Sequence, residues 1–517
     1  MIQIDGDVVA AGGTGASRLL TYLGALVLGA GLALGLAPFH YVWLVPLCLG
    51  GVGALVLRAP TAKHAAILGC ILGTAYFGVA MSWIYEPFQV DADRYAWMAP
   101  FAVLGLAFGL SLFWALAFGA VGAVARRRDV SSPRAAMARL CLLIGLWSLA
   151  EFGRAYLLTG LPWAAFGQFW IDTPVIHLLP YVGPHGLAVL TLLAGLPLAL
   201  LRVRPVLALA PICVVCAVVL AAPKPPVAPL GSDVVRIVQP NAPQDEKWHP
   251  DLRWSFVRRQ VAFTEASADP AIGAPDLIVW PETAVPMMLN DAEDVLAHIA
   301  KAAGDAQLLL GIQRRQDGRY YNSAVVLDPD GTPGQIYDKA HLVPFGEYIP
   351  AGNFMARFGI YGFASQAGAG YAAGPGPQIL DLAVGKALPL ICYEAVFPQD
   401  VNAAPERPAV LIQITNDAWF GTFSGPFQHL VQARMRAIEQ GLPMVRVANT
   451  GVSAMIDPYG RVLKDIPLGE AGFVDAILPL PLPPTLYART GDWPVFVLCV
   501  VLALGGVFFV SGRARRS

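Results

Sequence analysis

The sequence predicts a polytopic α-helical membrane domain joined to an extracytoplasmic α/β domain, and three observations carry that reading. The 517-residue chain is 56% hydrophobic and 14% charged, against about 25% charged for an average soluble domain. Eight apolar stretches approach the roughly 20 residues that a spanning helix needs. Between the seventh and the eighth, short apolar runs alternate with helical segments, the pattern of a layered α/β domain.

The apolar stretches run over about 18–37, 41–57, 64–85, 97–125, 140–158, 175–201, 205–222 and 493–511. The first is rich in Gly, Ala and Leu, lacks a cleavage-site pattern and is followed directly by others, so it is expected to be retained. Arg58 and Lys63, then Arg126, Arg127, Arg128, Arg134 and Arg139, then Arg202 and Arg204, and finally Arg513, Arg515 and Arg516 occupy alternate connections. Those connections are expected to be cytoplasmic. The opposite ones are poor in base: the turn near Pro38, EPFQVDADRYA with Glu86, Asp91, Asp93 and a single Arg94, and LPWAAFGQFWIDTP. The expected domains are a membrane domain of about seven helices over 1–222, an outward-facing domain over 223–490, and a returning helix with a basic tail over 491–517.

A net charge of −1 and a pI near 6.7 offer no basic surface for nucleic acid. No GxxxxGK phosphate loop occurs, so ATP use is not expected. His249, His298, His341 and His429 lack ligand spacing, and no metal is expected.

After the proline-rich linker APKPPVAPLG (222–231), VVRIVQP reads as a strand, DLRWSFVRRQVAFTEAS as a helix, DLIVW as a strand, AEDVLAHIAKAA as a helix and QLLLGIQ as a strand. NSAVVLDPDGTPGQIYDK reads as two strands around an Asp-Gly turn, the second ending near Lys339. ALPLICYE, AVLIQITN, a helix near 427–440, PMVRVAN and SAMIDPYG complete the series. Residues 351–376 interrupt it with a glycine-rich loop that carries Phe354, Met355, Phe358, Ile360, Tyr361 and Phe363. That loop is either packed on its own domain or a lid or membrane-dipping arm beside an apolar substrate site, and its place between Lys339 and Cys392 favours the latter.

Six of the seven cysteines fall in the apolar stretches, and Cys392 alone lies in the outer domain. Without a partner there it forms no internal disulfide, and is either inert core or a reactive thiol. Three segments end a strand on a reactive group: Glu282 in LIVWPETAVP, Lys339 in YDKAHLVPFGEYIP and Cys392 in LICYEAVFP. Singly, each has a structural explanation as a cap, a solvated charge or a core thiol. Together a carboxylate, an ammonium and a thiol suffice for nucleophilic catalysis, because the thiol needs a base and a cation beside it.

These residues resemble the nitrilase superfamily, whose Glu-Lys-Cys site sits in an αββα sandwich. With the membrane stretches around them, the chain is similar to the apolipoprotein N-acyltransferase family, and SWIY (82–85), TGLPWAAFGQ (159–168), VQPNAPQDEKW (238–248), TNDAWFG (415–421) and RVANTG (446–451) extend the match. The resemblance implies a multi-pass protein of the bacterial inner membrane with its nitrilase-like domain on the periplasmic side. It implies acyl transfer from a phospholipid, typically phosphatidylethanolamine, to the α-amino group of a lipoprotein's diacylglyceryl-cysteine, with no cofactor. Glu282 is then the base, Cys392 the acyl carrier, and Lys339 the oxyanion donor that also lowers the thiol pKa. Glu347 holds Lys339 or shares the proton work. Tyr393 and Glu394 shape or orient the pocket, and Trp248 lines a channel or simply packs. His341 is expected to shape the lysine loop, and Arg154 to pair with Glu151, meet a lipid phosphate or snorkel. The rival reading is a membrane-held amidase with the same three residues.

Overall fold

The computed structural model describes residues 15–124, 132–350 and 370–511. Arg126 to Arg128, Arg513, Arg515 and Arg516, together with 351–369 of the glycine-rich loop, lie outside the described residues. Six helical segments are long and apolar enough to cross a membrane: Ala16–Ala33, Ala62–Ala80, Ala92–Val124, Pro133–Tyr156, Pro174–Leu200 and Trp493–Val510. Leu44–Arg58 and Pro205–Ala221 are equally apolar but shorter, at 15 and 17 residues. Small residues let these helices touch backbone to backbone. A Cβ added to Gly69 would meet the Trp114 carbonyl oxygen at 2.7 Å, and one on Gly145 would meet the Ala503 nitrogen at 2.5 Å. Such close approach supplies the packing that binds helices in lipid, where no hydrophobic drive separates them from solvent.

The α/β domain is built from two six-stranded sheets. The first has the order β12-β1-β2-β3-β4-β5, from Gly472–Pro479 (β12), Leu230–Gln239 (β1), Leu277–Val279 (β2), Gln307–Gln316 (β3), Arg319–Leu327 (β4) and Pro333–Asp338 (β5). The second has the order β11-β10-β9-β8-β7-β6, from Val462–Ile466 (β11), Ser453–Ile456 (β10), Met444–Ala448 (β9), Val410–Thr415 (β8), Gly385–Ile391 (β7) and Leu380–Leu382 (β6).

Strand periodicity of two explains the layering. Val235 and Ile237 of β1 and Val410, Ile412 and Ile414 of β8 share one core between the sheets, whereas Val238 and Leu411 point to the outer faces. Helices Arg253–Glu265 and Glu293–Ala303 cover the first sheet through Val257, Val261, Leu296 and Ile299. Helix Gly425–Gln440 covers the second through Ala433 and Ala437. The result is an αββα sandwich, and burial of both sheet faces is why the central strands read as unbroken apolar runs.

The sandwich is seated on the helical bundle. Tyr393, Val396 and Phe397, just past the nucleophile candidate, belong to the same buried cluster as the bundle residues Tyr76, Trp114 and Trp147. Trp163, in the loop after helix Pro133–Tyr156, donates from Nε1 to Gln428 Oε1 at 2.7 Å. Arg154 shapes that loop: it donates to the carbonyls of Leu161 and Trp163 and pairs with Glu151 at 2.6 Å, while Trp114 Nε1 donates to the same carboxylate. Both charges are buried, so of the three expectations for Arg154 the structure takes mutual pairing, and neither snorkelling nor a surface phosphate contact.

Replacing Arg154 with Leu strands the Glu151 carboxylate and two carbonyls. Breaking a buried pair in this way costs about 3–5 kcal/mol. Arg154→Leu is therefore expected to unfold at a lower temperature than wild type in a detergent thermal scan, and an unchanged midpoint would show that the pair does not hold the junction.

Candidate active site

Three strand ends deliver the three groups. Glu282 follows β2 by a short extended segment, Lys339 directly follows β5, and Cys392 directly follows β7. The first two strands belong to one sheet and the third to the other, so the site lies where the two sheets meet at one end of the sandwich. Glu282, Lys339, Glu347 and Cys392 are all buried, between 1% and 6% exposed.

Lys339 Nζ lies 2.9 Å from the Glu347 carboxylate and 3.8 Å from Glu282 Oε1. Asn322, on β4, donates its amide to Glu282 Oε1 at 2.7 Å and reaches Glu347 Oε1 at 3.3 Å. The Val343 backbone N–H donates to Glu347 Oε2 at 2.8 Å. Glu347 therefore holds Lys339, the first of the two roles expected for it. Glycine is required behind this arrangement: a Cβ at Gly311 of β3 would stand 2.5 Å from the Pro281 carbonyl oxygen and 2.6 Å from Glu282 Cα.

Electrostatics set the resting protonation. Burial pushes the Cys392 thiol above its ordinary range, Glu282 pushes it further, and Lys339 opposes both. The expected lowering by Lys339 is present but outweighed, and the net shift favours the thiol. Burial also raises Glu282, against Lys339 and the Asn322 hydrogen bond, with Glu347 adding to the rise. For Lys339, burial disfavours the charge, but Glu347, Cys392 and Glu282 together outweigh it and hold the ammonium above its usual range. A base with a raised pKa and a stabilised cation fit general-base activation of a thiol.

Cys392 sits at φ 53°, in the left-handed region, where a 3-10 turn Cys392–Val396 begins. Non-glycine residues stay there only when their surroundings hold them. Glu394 supplies one hold. Its Oε2 accepts from the Ile391 N–H at 2.6 Å, and its Oε1 accepts from the Ala340 N–H at 2.7 Å, the His341 N–H at 3.1 Å and the Tyr337 hydroxyl at 2.7 Å. One carboxylate thus ties the strand entering Cys392 to the residues just past Lys339. These bonds give the expectation that Glu394 orients the site a specific geometry.

The other expected residues stand farther out. Tyr393 is buried, with its hydroxyl 3.5 Å from the Gly160 carbonyl and its ring against Phe397. His341 stacks on Phe397 at 3.7 Å, pairs with Asp400 at 2.7 Å and meets the Thr159 carbonyl at 3.1 Å, joining the lysine loop to the bundle. Trp248 is half-buried, its ring 5.9 Å from the Lys247 ammonium.

Lys247 itself is the closer residue. It is buried, donates to the Glu282 carbonyl at 3.1 Å and to Thr283 Oγ1 at 2.8 Å, and burial lowers its pKa to about 8. Sequence reasoning chose its aromatic neighbour instead, since a lysine in a polar loop reads as solvated. Asn322 was also missed, because an amide in a strand carries no chemical signature. So was His429, which lies with Gln413 against the Cys392 carbonyl.

Two family models match the chain: apolipoprotein N-acyltransferase N-terminal domain over residues 28–196 and carbon-nitrogen hydrolase over residues 235–482. The apolipoprotein N-acyltransferase of Rhodopseudomonas palustris is 37% identical, with 93% of each chain covered. That of Brucella suis is 36% identical over 92% of this chain and 91% of its own, and that of Agrobacterium fabrum 33% identical over the whole of both. Among solved structures, an amidase from Nesterenkonia sp. aligns with 53% of this chain and 99% of its own, at 16% identity and a TM-score of 0.37. A CN-hydrolase superfamily protein from Xanthomonas campestris aligns with 51% and 96%, at 21% identity and a TM-score of 0.34.

Displacing Glu282 by its backbone is expected to be costly, since a misplacement of about 1 Å lowers rates roughly 100-fold. Gly311→Ala should therefore retain little turnover while the chain still inserts into membranes; near-wild-type turnover would mean that Glu282 tolerates the shift. The raised pKa of Glu282 also predicts that kcat/KM falls on acidification at a pH above the ordinary glutamate value of about 4.3. Because the Asn322 hydrogen bond lowers that pKa, Asn322→Leu should move the acid limb to higher pH, and a limb that stays in place would remove Glu282 as its origin.

Proposed function

The chain belongs to the apolipoprotein N-acyltransferase family, and from that premise we propose that it moves an acyl chain from a phospholipid to the N-terminal α-amino group of a diacylglyceryl-cysteine, through a thioester on Cys392. The donor is taken to be phosphatidylethanolamine. The residues 223–490 are taken as the catalytic domain, on the periplasmic side of the bacterial inner membrane, with 1–222 and 491–517 as its membrane parts.

The single observation that carries the mechanism is the buried cluster of Glu282, Lys339 and Cys392 at the junction with the bundle. In the first half-reaction the Cys392 sulfur attacks the ester carbonyl as Glu282 takes the thiol proton. Lys339 and the Tyr393 N–H receive the developing oxyanion, where preorganised donors contribute about 3–4 kcal/mol each. Collapse breaks the ester C–O bond, and the departing glycerol oxygen takes the proton back from Glu282. In the second half the acceptor amine attacks the thioester, Glu282 takes its proton, and the sulfur leaves and regains that proton. The products are an amide and the free thiol, and the cycle draws on no other energy source.

A groove of about 450 Å³ between the sandwich and the bundle supports a lipid donor. Trp83, Tyr85, Val103, Leu104 and Phe420 line it, and its size lies in the usual range of about 300–1,000 Å³ for ligand sites. Val103 and Leu104 lie on the apolar Ala99–Val124 helix, so the groove is continuous with membrane-facing surface. Phe420 packs against both the bundle core and the cluster that contains Cys392. The amidase reading is not favoured: it has no use for a membrane domain that matches the acyltransferase model over 28–196.

Intact-mass measurement on detergent-purified enzyme mixed with phosphatidylethanolamine and no acceptor tests the reading. Wild type should gain one acyl-sized mass, Cys392→Ala should gain none, and a diacylglyceryl-cysteine peptide should discharge the adduct and become N-acylated. A folded wild type that never gains mass would rule out the thioester.

A further inference from the structure

Gln413 and His429 take no part in the proton transfers above, yet both lie on the nucleophile. Gln413 Nε2 and His429 Nε2 each stand 3.1 Å from the Cys392 carbonyl oxygen. Both side chains are sealed from solvent, as are Asp417 and Arg446, so their polar atoms require partners within the protein.

One arrangement of hydrogens has Gln413 hold the Cys392 carbonyl. His429 Nδ1 lies 2.9 Å from Asp417 Oδ1, a carboxylate that can only accept, so Nδ1 carries the proton. Nε2 is then an acceptor, and the Gln413 amide, 3.0 Å away, donates to it. The second amide proton of Gln413 goes to the Cys392 carbonyl. Gln413 Oε1 accepts from Arg446, which also grips Asp417. A proton on His429 Nε2 would instead be donated to the Cys392 carbonyl, 3.1 Å away, so in either state that carbonyl keeps a donor from the relay. Burial, the largest influence on His429, favours the neutral ring.

We propose that this relay positions the oxyanion site, gripping the Cys392 carbonyl so that the Tyr393 N–H is aimed at the oxygen that develops charge. The inference rests on the reading of Cys392 as the acylated nucleophile. Among the described residues the one cis peptide is Ala37–Pro38, so the Cys392–Tyr393 unit is trans. In a planar trans unit the C=O and N–H point in opposite directions, and holding one fixes the other. The grip is needed because the left-handed φ of Cys392 would otherwise relax. Glu394 fixes the chain entering the nucleophile, and Gln413 fixes the peptide leaving it.

The test uses the full-length protein in detergent, with Gln413→Met to remove the amide at similar length and His429→Phe to keep a ring against Trp163 and Phe420. Two rates are compared: acyl-enzyme formation from phosphatidylethanolamine, and alkylation of Cys392 by iodoacetamide, assigned by peptide mapping against Cys392→Ala. Alkylation forms a C–S bond with loss of iodide and passes through no oxyanion. Loss of an aimed donor should lower the maximal acylation rate about 10- to 100-fold with KM unchanged, and leave alkylation within about twofold of wild type. Unchanged acylation in the folded variants overturns the proposal, as does alkylation slowed in parallel, which would mean that the relay serves the thiol or the fold. If Gln413→Met does not fold, His429→Phe decides on the same two rates. A wild type that is alkylated but never acylated overturns the transferase reading itself, an outcome separate from either variant result.

Discussion

Glu394 accepts four hydrogen bonds, one from the strand that enters Cys392 and three from the strand and loop around Lys339. Those strands belong to different sheets, so the relative placement of thiol and ammonium depends on this carboxylate rather than on either sheet alone. A buried carboxylate without its donors carries a large desolvation cost. The four donors are therefore held as firmly as the acid that collects them, and separating the two strand ends would leave that acid unsatisfied. The rest of the site is arranged around this joint: Glu347 and Asn322 bond Lys339 and Glu282 on one side, while Gln413 bonds the Cys392 carbonyl on the other.

The helical bundle adds to the same joint. His341, whose N–H is one of the four donors, stacks on Phe397 and meets the Thr159 carbonyl of the bundle loop. Trp163, fixed by the Arg154–Glu151 pair through its own carbonyl, packs 5.6 Å from the His429 ring. The residues that follow the nucleophile are part of the bundle core. A membrane domain used only as a tether would have no need to share a core with the catalytic turn. Here the bundle core and the turn that begins at Cys392 are one packing unit.

Much of this was legible in the sequence, for identifiable reasons. β2 and most of β7 are buried, so they stand out as apolar runs, and the glutamate and thiol that follow them, Glu282 and Cys392, are conspicuous; β5 is half exposed, and Lys339 stands out instead through its segment YDKAHLVPFGEYIP. β11 and β12 escaped notice for the converse reason. β11 is largely exposed and carries Lys464 and Asp465. β12 is interrupted by Asp475, which reads as a solvated charge but is buried against Arg236 at 2.7 Å. Lys247, Asn322, Gln413 and His429 act through hydrogen bonds to atoms distant in sequence, including backbone carbonyls. Such a role depends on where the backbone goes, and no residue type or spacing announces it. Glu151 and Arg154 were visible as an i,i+3 pair, but only the fold decides whether a pair near a helix end is buried or snorkels.

The buried charges also explain why a thiol with a raised pKa suits this site. Three buried carboxyl groups, Glu282, Glu347 and Glu394, surround Lys339 and Lys247, so the site has no spare cation for a thiolate while Cys392 keeps its proton. Burial disfavours the thiolate, and losing the proton to bulk water would add a further negative charge beside Glu282, so the thiol is shifted upward. Passing the proton to Glu282 instead exchanges one anion for another within the same pair of cations and leaves the net charge unchanged. In the proposed attack the negative charge moves from sulfur to the carbonyl oxygen, where Lys339 and the Tyr393 N–H would meet it. At each step the cluster holds the same total charge, so burial that would suppress a free thiolate does not oppose the transfer.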